Sequence, residues 1–184
     1  MQPVLTTTAQ VLHDLGLAAG FGGSLFGKLS LAPAVRAIDD KAQRGKVLDE
    51  AWSGQKWVNV LSLGAAALTW FTGRTKISGR FLGKDARAAV IAKDVLVGVS
   101  AAATVGSMAL GSYLGSGSQG YVPVEEGGVP SQDTPPEKAK ALKALRAIST
   151  VNVIAMAGVI GLTTFLNHRA ASSARWKVLS KLLP

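Results

Sequence analysis

Cysteine is absent from the 184 residues, which excludes a disulfide framework, thiolate metal sites and a cysteine nucleophile. Histidine is scarce: His13 and His168 are the two present, too few for a histidine-rich metal or haem site, so no metal and no cofactor are expected. Aromatic residues make up 6% of the chain. They are too sparse to interleave with basic residues as a base-stacking surface requires, and no nucleic-acid partner is expected. Acids are outnumbered, 11 against 20 Lys and Arg, for a net charge of +9. The basic residues cluster beside apolar blocks, where anionic lipid headgroups explain them better. Residues 1–12 hold no Lys or Arg, so the basic start of a secretory signal is missing although Ala32, Pro33 and Ala34 imitate a cleavage site. No P-loop, dinucleotide fingerprint, HExxH or GxSxG motif occurs, and no catalytic residue is assigned.

What the chain has is apolar blocks. The stretch 15–35, LGLAAGFGGSLFGKLSLAPAV, carries one charge, Lys28. As a helix it rises about 31 Å, the thickness of a bilayer's hydrocarbon core. Counted in alternating steps of three and four, His13, Gly16, Gly20, Gly23, Gly27, Ser30 and Ala34 form one seam, small at every member after His13. Such a seam lets a neighbouring backbone come close, and close packing is what joins helices in lipid. The block 57–71 repeats the pattern with Asn59, Ser62, Ala66 and Thr69, and the third block with Gly98, Ala102 and Gly106. Asn152 lies on the polar seam of the fourth block and, like Asn59, is expected to hydrogen-bond between helices.

The expected fold is all-α: an integral membrane four-helix bundle, up-down-up-down, with spans at about 11–35, 54–73, 94–115 and 147–167. A short amphipathic connector helix, interrupted near Gly45, is expected over 36–56, with Asp40 and Arg44, and Lys46 and Glu50, at helical pair spacing. Pro33 kinks the first helix or marks its exit. Residues 116–134 read as a Gly/Pro-rich loop, after which Thr134 and Glu137 have the spacing of a capping box. The tail 170–184 reads as an interfacial basic amphipathic helix. Arg74, Lys76 and Arg80 in the second connector, with Arg175, Lys177 and Lys181 in the tail, are the expected contacts to anionic headgroups. The Lys and Arg of the connectors balance across the bilayer, and the sidedness of the acids favours cytoplasmic termini in the cell membrane.

Three ionisable residues stand apart. His13 beside Asp14 reads either as a proton-handling or ligand pair or, more simply, as boundary residues solvated by headgroups. Lys28, about two turns from the end of its span, must snorkel, pair with Asp14, Asp94 or a second chain, or face a cavity.

The Gly-rich first span ending at Pro33, the connector with Ile38 and Asn59 at the start of the second span together resemble small four-span bacterial membrane proteins of uncharacterised function related to anthrone oxygenases, over residues 11–71. No catalytic residue maps through this resemblance, and the 115–134 insertion departs from it. The leading expectation is a non-catalytic membrane subunit or accessory protein that packs against other membrane chains or itself, because seams are present and a catalytic constellation is not. The alternative is a small membrane enzyme of anthrone-oxygenase-like type, holding a hydrophobic aromatic or quinone-like substrate against His13, Asp14, Asn59 or Asn152. A small transporter ranks third.

Overall fold

The computed structural model describes residues 2–74, 83–116 and 121–182, with side chains over 8–71, 86–116 and 121–169. The described residues are 87% helical, with four long helices among them. Three segments, Thr8–Ala37, Ala86–Gly115 and Pro136–Arg169, are long and apolar enough to cross a membrane, which marks the chain as a membrane protein.

Helix α1 (Gln2–Phe26) runs without a break into a π-helical turn, Gly27–Leu31, then α2 (Ala32–Ala34) and a 3-10 turn, Val35–Ala37. Pro33 is the cause of this irregular exit. Its ring blocks the usual hydrogen bond four residues back, and the wide turn before it closes with the Ala32 N–H on the Gly27 carbonyl. The helix stops at Ile38, whose backbone is extended. Asp40 then caps α3 (Lys41–Arg74), its Oδ1 accepting from the N–H groups of Ala42 at 2.7 Å and Gln43 at 3.3 Å.

One expectation is corrected here. Gly45 does not interrupt the connector helix, because α3 passes through it; a Cβ there would overlap the Val122 carbonyl, so its role is close approach. The stretch 54–73 is the second half of this 34-residue helix, and α3 is not among the segments apolar enough to span. The physical reason is its charged first half and the polar Gln55, Lys56 and Asn59, which dilute an apolar run of limited length.

Helix α3 returns along α1 in antiparallel fashion, pairing Gly27 with Trp52, Gly23 with Gln55 and Gly16 with Ser62. Helices α4 (Gly83–Gly115) and α5 (Pro136–Leu182) form a second antiparallel pair, Gly158 meeting Leu96 and Gly106 meeting Ile148. Three apolar clusters stack along the bundle: Trp70, Ala86, Ala89, Val90 and Leu166 at one end; Leu17, Ala66, Val97 and Val159 in the middle; Val35, Leu48, Val124 and Leu142 at the other end. Large apolar side chains also point outward, among them Leu15, Phe26, Leu61, Leu68 and Ile154, as lipid-facing residues do.

The expected 116–134 loop holds a small hairpin, β1 (Val124–Glu126) antiparallel to β2 (Val129–Pro130). Its turn needs glycine twice. Gly127 donates its N–H to the Ala32 carbonyl at 3.2 Å and would collide with Ala32 if it carried a Cβ; Gly128 has φ +75 and sits over the stem of Arg146. Thr134 holds the hairpin, its hydroxyl accepting from the Ser131 N–H at 2.8 Å and donating to the Pro123 carbonyl at 2.6 Å. Glu125 pairs with Lys41 at 2.7 Å and Glu126 with Arg36 at 2.5 Å. Arg44 turns to the Ile38 and Glu125 carbonyls, at 2.6 and 3.0 Å, while Lys46 and Glu50 meet at 3.9 Å. Lys138 at the start of α5 donates to the last carbonyls of α4, reaching Ser116 at 2.8 Å, and so satisfies a helix end.

Candidate functional site

At the end of the bundle where α1 and α4 finish and α3 and α5 begin, the four helices part around an open cavity of about 550 Å³, bordered by the hairpin. That size is in the range of small-molecule sites, and its walls have their usual composition, apolar with a few polar groups. Leu48, Trp52, Met108, Leu142 and Val153 supply the apolar wall. Its polar groups include Lys28, Lys56, Asn59, Arg146 and Asn152, with the carboxylates Asp49 and Glu126, the latter paired with Arg36.

The π turn aims Lys28. A turn with one extra residue rotates the residues after it, and such bulges recur at functional sites. Here Gly27 is pressed against the Trp52 ring and Lys28 reaches α5, donating to Thr150 Oγ1 at 2.6 Å. Thr150 in turn donates to the Arg146 carbonyl at 2.7 Å. Arg146 lies within electrostatic reach of Lys28, and among the described residues neither cation has a carboxylate partner. Asn59 accepts from Gln55 Nε2 at 3.0 Å. Asn152, 7% exposed, keeps its Oδ1 buried with no hydrogen-bond partner. Ser100 Oγ, away from the cavity, is likewise buried without a partner, and both atoms are closed to water.

A second polar cluster lies at the opposite end. His13 Nδ1 faces the Ala66 carbonyl at 2.9 Å and Thr69 Oγ1 at 3.0 Å. A carbonyl only accepts, so Nδ1 carries the proton and Nε2 offers a lone pair. Lys93 Nζ donates to it at 3.0 Å and stands 3.9 Å from the centre of the Trp70 ring, a geometry that suits an ammonium. The Trp70 indole donates to Asp94 at 2.8 Å. His13 is 4% and Lys93 1% exposed, so the cluster is dry.

The residues singled out from the sequence divide between these places. Gly16, Gly20, Gly23 and Gly27 face inward against Ser62, Met156, Gln55 and Trp52, so this seam packs within the chain. Gly106 lies 3.7 Å from Ile148, but Gly98 and Ala102 are exposed on α4 and nothing in the chain packs on Gly98. The buried face of α4 is instead Ala86, Val90, Lys93, Val97 and Ser100. His13 and Asp14 do not act as a pair: adjacent helical residues point apart, and Asp14 is exposed, accepting from Gln10 at 3.0 Å. Lys28 finds Thr150 and not Asp14 or Asp94. Lys76 and Arg80 lie outside the described residues, as do the side chains of Arg74, Arg175, Lys177 and Lys181. Sequence reasoning misses Lys93 and Arg146. Lys93 keeps the alternating four-three rhythm of buried positions on α4, and His13 heads the glycine seam, which together are the available signal.

In comparisons with known proteins, no family model, no curated protein and no solved structure matches the chain.

Proposed function

We propose that this chain is a non-catalytic, multi-pass protein of the cell membrane whose working part is the cavity beside the hairpin, where it holds an amphipathic small molecule. The observation that carries the reading is a cavity large enough for such a molecule, apolar along much of its wall, with Lys28 and Arg146 at one corner. In this reading α3 crosses the bilayer beside α1 through close glycine contacts, giving four spans with both termini cytoplasmic. The enzyme alternative has less support, because His13 and Asp14 stand outside the cavity while Asn59 and Asn152 line it. Purification in mild detergent followed by native mass spectrometry is the test. A bound small molecule that disappears in Ser107→Trp, which fills the cavity, is the expected result. The same ligand retained by Ser107→Trp refutes the reading.

A second role, assembly with other membrane chains, draws on a different observation. Gly98 and Ala102 present a small, exposed surface on α4 to which no helix of this chain comes close. Crosslinking from this face, compared with the glycine face of α1, tests it.

A further inference from the structure

Two features of the cavity constrain its occupant, and each asks for different chemistry. Lys28 and Arg146 place two cations at one corner; the carboxylates that also line the cavity are Asp49 and Glu126, of which Glu126 is paired with Arg36, and neither is within ion-pair distance of Lys28 or Arg146. Like charges held close repel, at a cost that an anion between them removes. The remaining wall, Leu48, Trp52, Met108, Leu142 and Val153, is apolar and more extensive than an inorganic anion would use.

We propose that the cavity takes an amphiphile whose head carries an oxyanion, with Lys28 and Arg146 on the oxyanion and the apolar body against Trp52 and Met108. This rests on the reading that the cavity holds a small molecule and specifies which. The position fits the chemistry. Lys28 lies nine residues before the end of the segment Thr8–Ala37, about 14 Å along a helix. The head is thus drawn below the end of that segment, where Lys28 is half-buried and less screened by salt than a surface cation. The Gly127–Gly128 turn borders the same corner, seated on Ala32 from α2 and on the stem of Arg146. Two sources have this head chemistry, an anionic lipid of the surrounding bilayer and a soluble phosphate.

The test uses the full chain in neutral detergent, with binding followed by native mass spectrometry and by quenching of tryptophan fluorescence with brominated acyl chains. The probes are phosphatidylglycerol, phosphatidylcholine and glycerol 3-phosphate. Phosphatidylglycerol is expected to bind at one site, about tenfold or more tighter than phosphatidylcholine. Lys28→Gln and Arg146→Gln should each weaken it about tenfold, Lys28→Arg should restore it, and all must keep the thermal midpoint of the parent. Glycerol 3-phosphate competing as well as the lipid would support the oxyanion and identify a soluble source. Equal binding of the two lipids, or Gln variants that bind like the parent, overturns the charge assignment. If that binding is still blocked by Ser107→Trp, the cavity reading survives and only the head chemistry fails; if Ser107→Trp changes nothing, both fall.

Discussion

The two ends of the bundle treat buried polarity in opposite ways. Around Lys93 every partner is supplied by the chain: His13 accepts, Ala66 and Thr69 hold the imidazole, and Trp70 offers its ring. Around Lys28 the chain supplies Thr150, but it leaves a second cation close by, an orphaned acceptor on Asn152 and an open volume. Both ends are made from the same materials, lysine and small polar residues on apolar helices. The difference teaches which end is structural. A completed network in a low dielectric rigidifies the bundle, whereas an incomplete one is costly unless something arrives to complete it.

The largest effect is expected from breaking the complete end. His13→Leu removes the acceptor of Lys93 and strands a buried ammonium, with an expected loss of about 3 kcal/mol, read as a lowered thermal midpoint in detergent. His13→Leu combined with Lys93→Met should recover most of it. A single variant as stable as the parent would mean that Lys93 is not held by this network.

Gly16→Leu comes next. A Cβ at Gly16 would stand 2.8 Å from the Ser62 carbonyl oxygen, so the α1 and α3 backbones must move apart, at about 1–3 kcal/mol. Gly22→Leu, with nothing within 4 Å, should be nearly silent in the same melt. Equal behaviour of the two would show that the α1 and α3 contact is not what the glycines serve. Which glycine faces protein was only partly legible in the sequence. The three-four rhythm separates Gly16, Gly20, Gly23 and Gly27 from Gly22, yet the same rhythm also selected Gly98 and Ala102, which face outward.

At the incomplete end the sign reverses. Asn152→Leu exchanges an unpaired buried amide for an isosteric apolar group, and the protein should gain up to about 1 kcal/mol. A loss comparable with that of His13→Leu would mean that Asn152 is partnered and that the comparison between the two ends is false.

The smallest effect concerns the hairpin beside the cavity. The Lys41 ammonium, hydrogen-bonded to Glu125, with Arg44 beside it, holds the Glu125 carboxyl below its ordinary range. A folded-state value below the unfolded one means that the pair stabilises the fold above the ordinary carboxylate range and that this is lost as pH falls through the folded value. The Glu125 side chain reaches solvent, so the effect is screened. In an acid titration of thermal midpoint, Glu125→Gln should lose slightly less stability than the parent between neutral and acid pH. Superimposable curves would show that the pair does not hold the hairpin.

Local rules that act along one helix were legible in the amino-acid sequence. Apolar length marked the spans of α1, α4 and α5, Pro33 marked the irregular exit of α1, and small residues at three-four spacing marked one contact face. The capping box did not form as spaced, because the Thr134 hydroxyl found the Ser131 N–H and the Pro123 carbonyl. Contacts between elements far apart in the chain could only come from the tertiary structure. A period places residues on one face of a helix without saying what that face meets, so His13 meeting Lys93 across 80 residues, and Lys28 meeting Thr150 across 122, had no signature. The cavity is the clearest case. It exists because a π turn, a glycine-tipped hairpin and four helix ends converge there, and an empty volume is a property of their packing together that no single stretch of sequence carries.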